Sequence, residues 1–485
     1  MVGKVSKIGQ RSPRRKEFMG GEPFSLKDHQ RLALNAWKAN DCSGIMALAT
    51  GSGKTITAIH GSAKLYEHLK RLFLVIAVPY QSLADQWVEV LGKFNIFPTR
   101  CYASSSFWLE QLTRKVSLYN GNSLHFGCAV VVNQTLQSEH FQTLIKQISS
   151  SNFLFIGDEC HHHSSENHAR SLPGNARMRL GLSATPYNIF NEAGNTRLTK
   201  YYGPVVAEYS LKQALEDKVL TPYKYFPILV DLTDEESVEY IELSGRIAQL
   251  FAANRDSDPE SNEPLKLLLI QRSRIIGKAE NKIVRLKELL DGHQPEPLTL
   301  FYCGDGSLED DISGETSRQV DVLSKLLHQM GWRSSHFTAR ETRTERRQIL
   351  DNFRVGIIDA MVAIKCLDEG IDVPACKKAY ILASSRNPKQ FIQRRGRILR
   401  KSPGKECSEI YDFIVKLPHS SLENSQFEKN LVLAEFERVV EFASLAVNAV
   451  DSVRILKPTL SLYGQQHLLA NLFGGSQLVG DLILE

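Results

Sequence analysis

Apolar positions in the first two hundred residues fall in short unbroken runs: Ile45-Met46-Ala47-Leu48, Phe73-Leu74-Val75-Ile76-Ala77-Val78, Ala129-Val130-Val131-Val132 and Phe153-Leu154-Phe155-Ile156. A run without polar alternation predicts a strand buried on both faces, as in a parallel sheet covered by helices. The stretches between them, such as Thr55 to Leu69, have helical periodicity. Residues 22–209 therefore predict an α/β unit. The pattern changes over 210–295. Glu235 to Ala253 and Leu265 to Leu290 predict helices, and the polar segment Asp256 to Pro264 predicts a loop between them. A second α/β pattern occupies 296–420, with strands expected over 298–303, 358–364, 379–383 and 409–415 and an acidic surface loop over 304–315. Helical periodicity returns over 421–485. The expected architecture is two tandem parallel-sheet lobes, a helical linker at 210–295 and a helical C-terminal tail.

Composition narrows the class without naming it. Of 485 residues 42% are hydrophobic, which can supply sizeable cores. The longest strongly apolar run, Leu72 to Val78, is far short of the ~20 residues of a membrane helix. No apolar stretch follows the basic start, so a secretory signal is not expected. The expectation is cytoplasmic residence without a membrane partner. Eight cysteines show no C-x-x-C spacing, which argues against a zinc ribbon or a redox site and for reduced, buried thiols.

The net charge of +5 is concentrated at one end. The first twenty residues hold six basic side chains against Glu17, and the rest of the chain balances. Overall charge is thus no argument for a nucleic-acid partner. Residues 1–21 read as a basic disordered leader, with a phosphate-seeking arm as the alternative.

Chemistry is concentrated after two of the predicted strands. Thr50-Gly51-Ser52-Gly53-Lys54-Thr55 lies between a strand and a helix, an arrangement that aims backbone N–H groups and a helix N-terminus at phosphate. Gly51 and Gly53 allow close approach. Lys54 would neutralise the β- and γ-phosphates of ATP, and Thr55 would place its hydroxyl on Mg²⁺. The first glycine of the usual phosphate-loop pattern is absent, Leu48 standing in its place. Asp158-Glu159-Cys160-His161 follows the strand ending at Ile156. Such an enzyme needs a carboxylate there for Mg²⁺ and a group to orient the attacking water, roles that fit Asp158 and Glu159. Three consecutive histidines, 161–163, cannot easily converge on one metal ion, so a structural or coupling role for His161 is the better reading.

The ordered set of motifs resembles superfamily 2 helicases and translocases of the DExH type, over residues 24–415. Leu26 to Gln30 resembles the adenine-reading motif, with Gln30 as reader. Val78 to Trp87 resembles motif Ia, and Val131 to Leu136 motif Ib. Leu182-Ser183-Ala184-Thr185-Pro186 matches motif III, which links hydrolysis to movement and implies coupling roles for Ser183 and Thr185. Ile364 to Pro374 matches motif V, implying nucleotide contacts by Gly370 and Asp372. Gln393 to Arg400 matches motif VI, implying catalytic roles for Gln393, Arg397 and Arg400. A guanidinium that meets the charge developing in phosphoryl transfer is worth about 10³–10⁵ in rate.

The resemblance implies RecA-like lobes, ATP and Mg²⁺ as cofactors, and ATP held in a cleft between lobes that closes and reopens across a bound strand. It implies strand contacts that position phosphates without reading sequence, for which Ser82, Thr135 and Thr338 are candidates. Each of the three has a plain alternative as a helix cap. Arg272, Arg274, Lys278 and Lys282 read as a solvated helix face, with a binding stripe as the alternative. The chain looks closest to bacterial proteins of repair and restriction type, and a restriction, anti-phage or repair role is one placement. DNA is favoured over RNA. No nuclease pattern is evident, so any cutting would come from a partner. An RNA helicase, and an ATP-gated clamp that recruits partners without translocating, stay open.

Overall fold

The structure, a computed structural model, describes residues 17–18, 22–23, 25–102, 104–188, 191–253, 263–304, 307–309, 316–338, 340–364, 376–383, 398–418, 436–437 and 439–469. Two compact units divide the chain after Val219. Most of the expected leader, 1–21, lies outside these residues.

In the first unit the strands of the main sheet are β1 (Ser43–Leu48), β2 (Leu72–Val78), β3 (Thr99–Cys101), β4 (Phe126–Val132), β5 (Phe153–Asp158), β6 (Met178–Ser183) and β7 (Val205–Tyr209), and Glu17–Phe18 pairs separately with Glu22–Pro23. They form one sheet in the order β3-β4-β2-β5-β6-β1-β7, with every pairing parallel. The apolar run of β2 is fully buried, because strands flank it on both edges and helices cover both faces. A core of Trp108, Leu112, Tyr119, Phe141, Phe153 and Phe155 packs on one of those faces. Burying each such side chain contributes about 1.5–3 kcal/mol.

β3, β6 and β7 carry no unbroken apolar run, and the sequence pattern did not predict them. In β6 the polar residue is Arg179. Its guanidinium donates to the carbonyls of Ala176, Tyr201 and Gly174 and lies 4.4 Å from the centroid of the Tyr201 ring. Those contacts replace water and let an arginine sit in a central strand. The strand order sets β5, β6 and β1 side by side, so residues distant in sequence meet at one carboxyl edge, where parallel α/β sheets build their sites.

The second unit has β8 (Tyr223–Asp231), β9 (Thr299–Tyr302), β10 (Ser334–Phe337), β11 (Ala360–Ala363), β12 (Lys378–Ile381) and β13 (Ser408–Lys416). Their order is β8-β13-β12-β9-β11-β10, again all parallel. Both units are thus parallel-sheet α/β folds. β8 lies inside 210–295, where a helical linker was expected. Pro227 interrupts its pattern and argues against a central strand. At the sheet edge, where β8 pairs with β13, proline is tolerated because no outward ladder bond is lost.

Two helices, Asp234–Ala253 and Glu263–Lys278, follow β8 and share a core of Tyr240, Leu243, Ile247, Leu265, Leu268 and Ile275. The expected solvated face holds for the exposed Arg274 but is corrected for Arg272 and Lys282, which are fully buried. Arg272 donates to Ser244 Oγ at 3.1 Å. Lys282 donates to the carbonyls of Ile276 and Leu382, each at 2.6 Å. Ile276 is in the last turn of its helix, where carbonyls lack intrahelical partners. The acidic loop expected over 304–315 is, in its described part, a strand Ser307–Glu309 paired antiparallel with Thr316–Arg318.

The C-terminal tail, where described, is part of the second unit. Helix Ala449–Leu462 packs along β8. Asn448 accepts from Tyr225 N at 2.8 Å and donates to Tyr225 O at 3.0 Å, and Ser452 Oγ also donates to that carbonyl at 2.6 Å. These bonds satisfy edge groups that would otherwise invite another strand.

One glycine of the first sheet leads to a prediction. A Cβ on Gly157, in β5, would overlap the Tyr202 hydroxyl and lie 3.0 Å from His163 Cε1. Gly157→Ala should destabilise the protein by roughly 1–3 kcal/mol in chemical denaturation, as overpacking does. Adding Tyr202→Phe should recover part of that loss, so the two changes will be non-additive.

Candidate active site

The loop after β1 takes a shape that only glycine enters easily. Gly51 has φ 85° and Gly53 φ 94°, in the left-handed region. A Cβ on Gly53 would also lie 2.5 Å from Gln30 Nε2. Helix α2 (Lys54–Leu69) begins directly after it. The Lys54 ammonium donates back to Leu48 O at 3.3 Å, so its charge lies over the loop.

The loop is held from two sides. On one, Ala49 N donates to Tyr209 O at the end of β7, at 2.8 Å. On the other stands the first helix, α1 (Asp28–Ala39). His29 Nε2 lies 3.0 Å from Ser52 O, and the His29 ring stacks on Tyr209 at 4.0 Å with 6° between planes. Burial lowers the His29 pKa, so its neutral N–H is the donor to that carbonyl. Gln30 Nε2 donates to Ser52 O and Gly53 O at 3.4 and 3.3 Å, and its Oε1 accepts from Lys27 N at 3.0 Å. Gln30, expected as adenine reader, thus caps α1 and braces the phosphate loop.

Whether these residues fit a nucleotide is tested by their unsatisfied groups. Thr50 Oγ1, Ser52 Oγ and Glu159 Oε2 are buried side-chain atoms without a hydrogen-bond partner. Such groups cost stability unless a ligand or water meets them. Two of them line the loop and the third ends the neighbouring acidic pair. The set suits a phosphate chain and its hydration, and Thr55 and Asp158 have the oxygen chemistry a hard divalent cation needs.

The acidic pair ends β5. Asp158 is 4% exposed, and burial together with the neighbouring Glu159 pushes its carboxyl pKa up to about 6. Two donors offset that cost: Trp87 Nε1 at 2.7 Å from Oδ2, and Glu159 N at 3.0 Å from Oδ1. Trp87 is fully buried in helix α3 (Gln81–Lys93). Glu159 itself has φ 48° and ψ 50°. A non-glycine residue in that region carries backbone strain of order 1–3 kcal/mol, which folds retain chiefly at functional sites.

From Glu159 a short chain runs to the next strand. His161 Nδ1 lies 3.6 Å from Glu159 Oε2 and 3.0 Å from Ser183 Oγ. Thr185 N donates to the same hydroxyl at 3.1 Å. The structure therefore brings Glu159, His161, Ser183 and Thr185 together across the ends of β5 and β6.

The remaining predicted residues are placed as follows. Thr135 lies in the short helix Asn133–Leu136, at the carboxyl end of β4. Ser82 lies in the first turn of α3, at the end of β2. Thr338, just after β10, donates from Oγ1 to the Glu341 carboxylate, and its N donates there as well. Thr338 is 5% exposed; its observed contacts are those of a local turn. Gly370, Asp372, Gln393 and Arg397 lie outside the described residues. Arg400 is described; its carbonyl accepts from Thr221 Oγ1 at 3.4 Å and Lys405 Nζ at 3.1 Å.

Sequence reasoning gave no role to His29, Trp87, His163 or Tyr209. Trp87 carried the one available signal, since an indole on the apolar face of a helix needs a partner for its N–H.

Comparison with known proteins gives the family. Residues 23–188 match the family model described as type III restriction enzyme, res subunit, and residues 282–402 match the helicase conserved C-terminal domain. The chain belongs to superfamily 2 of the helicases and translocases, a class of ATP-hydrolysing enzymes that act on nucleic acid. It is 26% identical over 397 residues to a DNA 3'-5' translocase XPB2 of Sulfurisphaera tokodaii, covering 78% of this chain and 80% of the relative. It is 24% identical to a putative DNA 3'-5' helicase Rad25 of Halobacterium salinarum, over 81% of this chain and 55% of the relative. The solved structure of the type ISP restriction-modification enzyme LlaBIII bound to DNA has a similar fold, with TM-score 0.56 and 18% identity over 88% of this chain. This chain spans 31% of that enzyme.

Two predictions follow from the buried carboxylate. In the folded chain Asp158 keeps its proton at pH values where the unfolded chain, at the ordinary ~3.9, has released it. Stability from this group therefore falls as pH rises from about 4 to about 6. Without nucleotide, Asp158→Asn should melt higher than the wild type above pH ~6, by on the order of 1–3 kcal/mol, with the gap closing below pH ~4. Melting curves across that range check this, while ATP turnover is lost. Trp87→Phe removes one donor from the carboxylate and should raise the Mg²⁺ concentration needed for half-maximal ATPase.

Proposed function

We propose that this chain is an ATP-driven translocase or helicase acting on DNA, serving as motor in a restriction, anti-phage or repair system. The observation that carries the reading is the meeting, at one carboxyl edge, of the phosphate loop, the Asp158–Glu159 pair and the His161–Ser183 bond. A nucleotide-binding protein needs only the first two. The third ties the catalytic acid to a neighbouring strand and gives hydrolysis something to move.

The roles follow from position. The α2 N-terminus and the amides of residues 51–54 hold the β- and γ-phosphates. Lys54 neutralises charge there, and its present bond to Leu48 O leaves it within reach of the loop. Thr55 and Asp158 would hold Mg²⁺, which when bound would supply positive charge against that developing in phosphoryl transfer. Glu159, with one oxygen unpartnered and its backbone strained, orients the attacking water and takes its proton. His161 follows the state of Glu159 and passes it to Ser183 and Thr185. By the resemblance of motifs V and VI, Arg397 and Arg400 would supply the positive charge that phosphoryl transfer requires, with Gln393 as a neutral neighbour, and Gly370 and Asp372 would contribute to nucleotide binding. Ser82 and Thr135 contact strand phosphates, whereas the buried Thr338 hydroxyl is taken up by the Glu341 carboxylate.

DNA is favoured because the named relatives are a DNA translocase and a putative DNA helicase. A partner nuclease or repair protein is implied because restriction components lie among the matched families.

ATPase activity titrated in parallel with single-stranded DNA, duplex DNA and RNA tests the substrate. DNA should raise turnover at least ten-fold and RNA should not; the reverse order makes the chain an RNA helicase. Triplex displacement driven by ATP separates motor from clamp, since stimulated turnover without displacement leaves only the clamp. Arg397→Ala should retain ATP binding and lose DNA-stimulated turnover by about 10³-fold or more.

A further inference from the structure

His163 is two residues past the coupling histidine, and the site described above does not use it. It is completely buried, and both ring nitrogens are engaged. Nε2 lies 2.9 Å from Asn133 Oδ1, and Nδ1 lies 2.7 Å from the Tyr202 hydroxyl. The amide oxygen can only accept, so Nε2 carries the proton and Nδ1 accepts from Tyr202. The tautomer is fixed, and all three side chains are neutral.

The placement of the two ends is what matters. His163 belongs to the turn Cys160–Ser164 that leaves the catalytic acids. Asn133, itself 4% exposed, opens the short helix that carries Thr135. The two segments leave different strands, β5 and β4, which are separated in the sheet by β2. Gly157, with no Cβ, leaves the space that Tyr202 and His163 fill beneath Asp158. A neutral, buried network in which both ring nitrogens of the histidine are engaged transmits displacement rather than charge, because breaking it strands a polar group without water.

We propose that the His163–Asn133 hydrogen bond is a coupling tether: it makes the Thr135 turn follow the catalytic turn, so that nucleotide state sets strand affinity in the first lobe. His163 and Asn133 are positioning residues, and the inference rests on Thr135 contacting the strand. It is distinct from the His161–Ser183 bond, which couples the same turn to β6 rather than to β4.

The test is a coupling measurement on the full-length chain. A labelled single-stranded or duplex DNA oligonucleotide is titrated with and without a non-hydrolysable ATP analogue, and the ratio of the two dissociation constants is the coupling factor. His163→Leu and Asn133→Leu should each bring that factor about five-fold or more towards unity. Nucleotide affinity, and DNA affinity in its absence, should stay within about two-fold of wild type. His163→Gln, whose amide can still donate to Asn133, should retain most of the coupling, and the double leucine variant should be no worse than either single one. An unchanged coupling factor in Asn133→Leu overturns the tether; that variant decides the matter if His163→Leu does not fold. A wild type whose DNA affinity ignores nucleotide also overturns the tether, whereas a Thr135→Ala variant that binds DNA normally overturns the strand contact on which the inference rests.

Discussion

A carboxylate at the end of a fully buried strand must be held by something, and here the Trp87 indole holds it. Asp158 sits where apolar packing makes its charge expensive, and the 2.7 Å bond from a buried tryptophan is one of two that keep it oriented. The rest of the site depends on that arrangement. It fixes the start of the turn that carries Glu159, His161 and His163. It also joins helix α3, on which Ser82 lies, to the residue that would hold Mg²⁺.

Viewed this way, the first lobe has three connections radiating from the acidic turn. Trp87 leads to β2 and its helix, His163 to the end of β4, and His161 to the end of β6. Each is one hydrogen bond between side chains of opposite donor and acceptor character, and none requires a net charge. Buried hydrogen bonds of this kind have little room for partial states. A packed interior switches between arrangements more readily than it deforms. The strained Glu159 backbone and the unpartnered oxygens of the loop mark where the free structure is least at ease, and those are the places a nucleotide would relieve.

The second lobe shows the same economy at its margin. β8 is an edge strand containing a proline, and Asn448 and Ser452 from the C-terminal helix satisfy its outward backbone groups at Tyr225. Arg272 and Lys282 use their length to reach a hydroxyl, a helix-end carbonyl and the Leu382 carbonyl at a strand end inside the fold. Basic residues spaced along a helix had two physically sound readings, a solvated face and a binding stripe, and for Arg272 and Lys282 tertiary packing chose neither.

What the sequence determined by itself was whatever depends on neighbouring residues. Unbroken apolar runs marked β1, β2, β4 and β5, because strands covered on both faces admit no polar alternation. The glycines, lysine and threonine of residues 51–55 marked the phosphate loop, because backbone approach and helix start are local. Asp158 and Glu159 were legible as an acidic pair ending a strand. Only the tertiary structure decided what lies between elements. The three-residue strand β3, the arginine-bearing β6 and the proline-bearing β8 are strands because of their partners, not their own pattern. Trp87 meets Asp158 across 71 positions, His163 meets Asn133 across 30, and Gln30 turns to Ser52 and Gly53. Such contacts follow from strand order in the sheet, which no local spacing encodes.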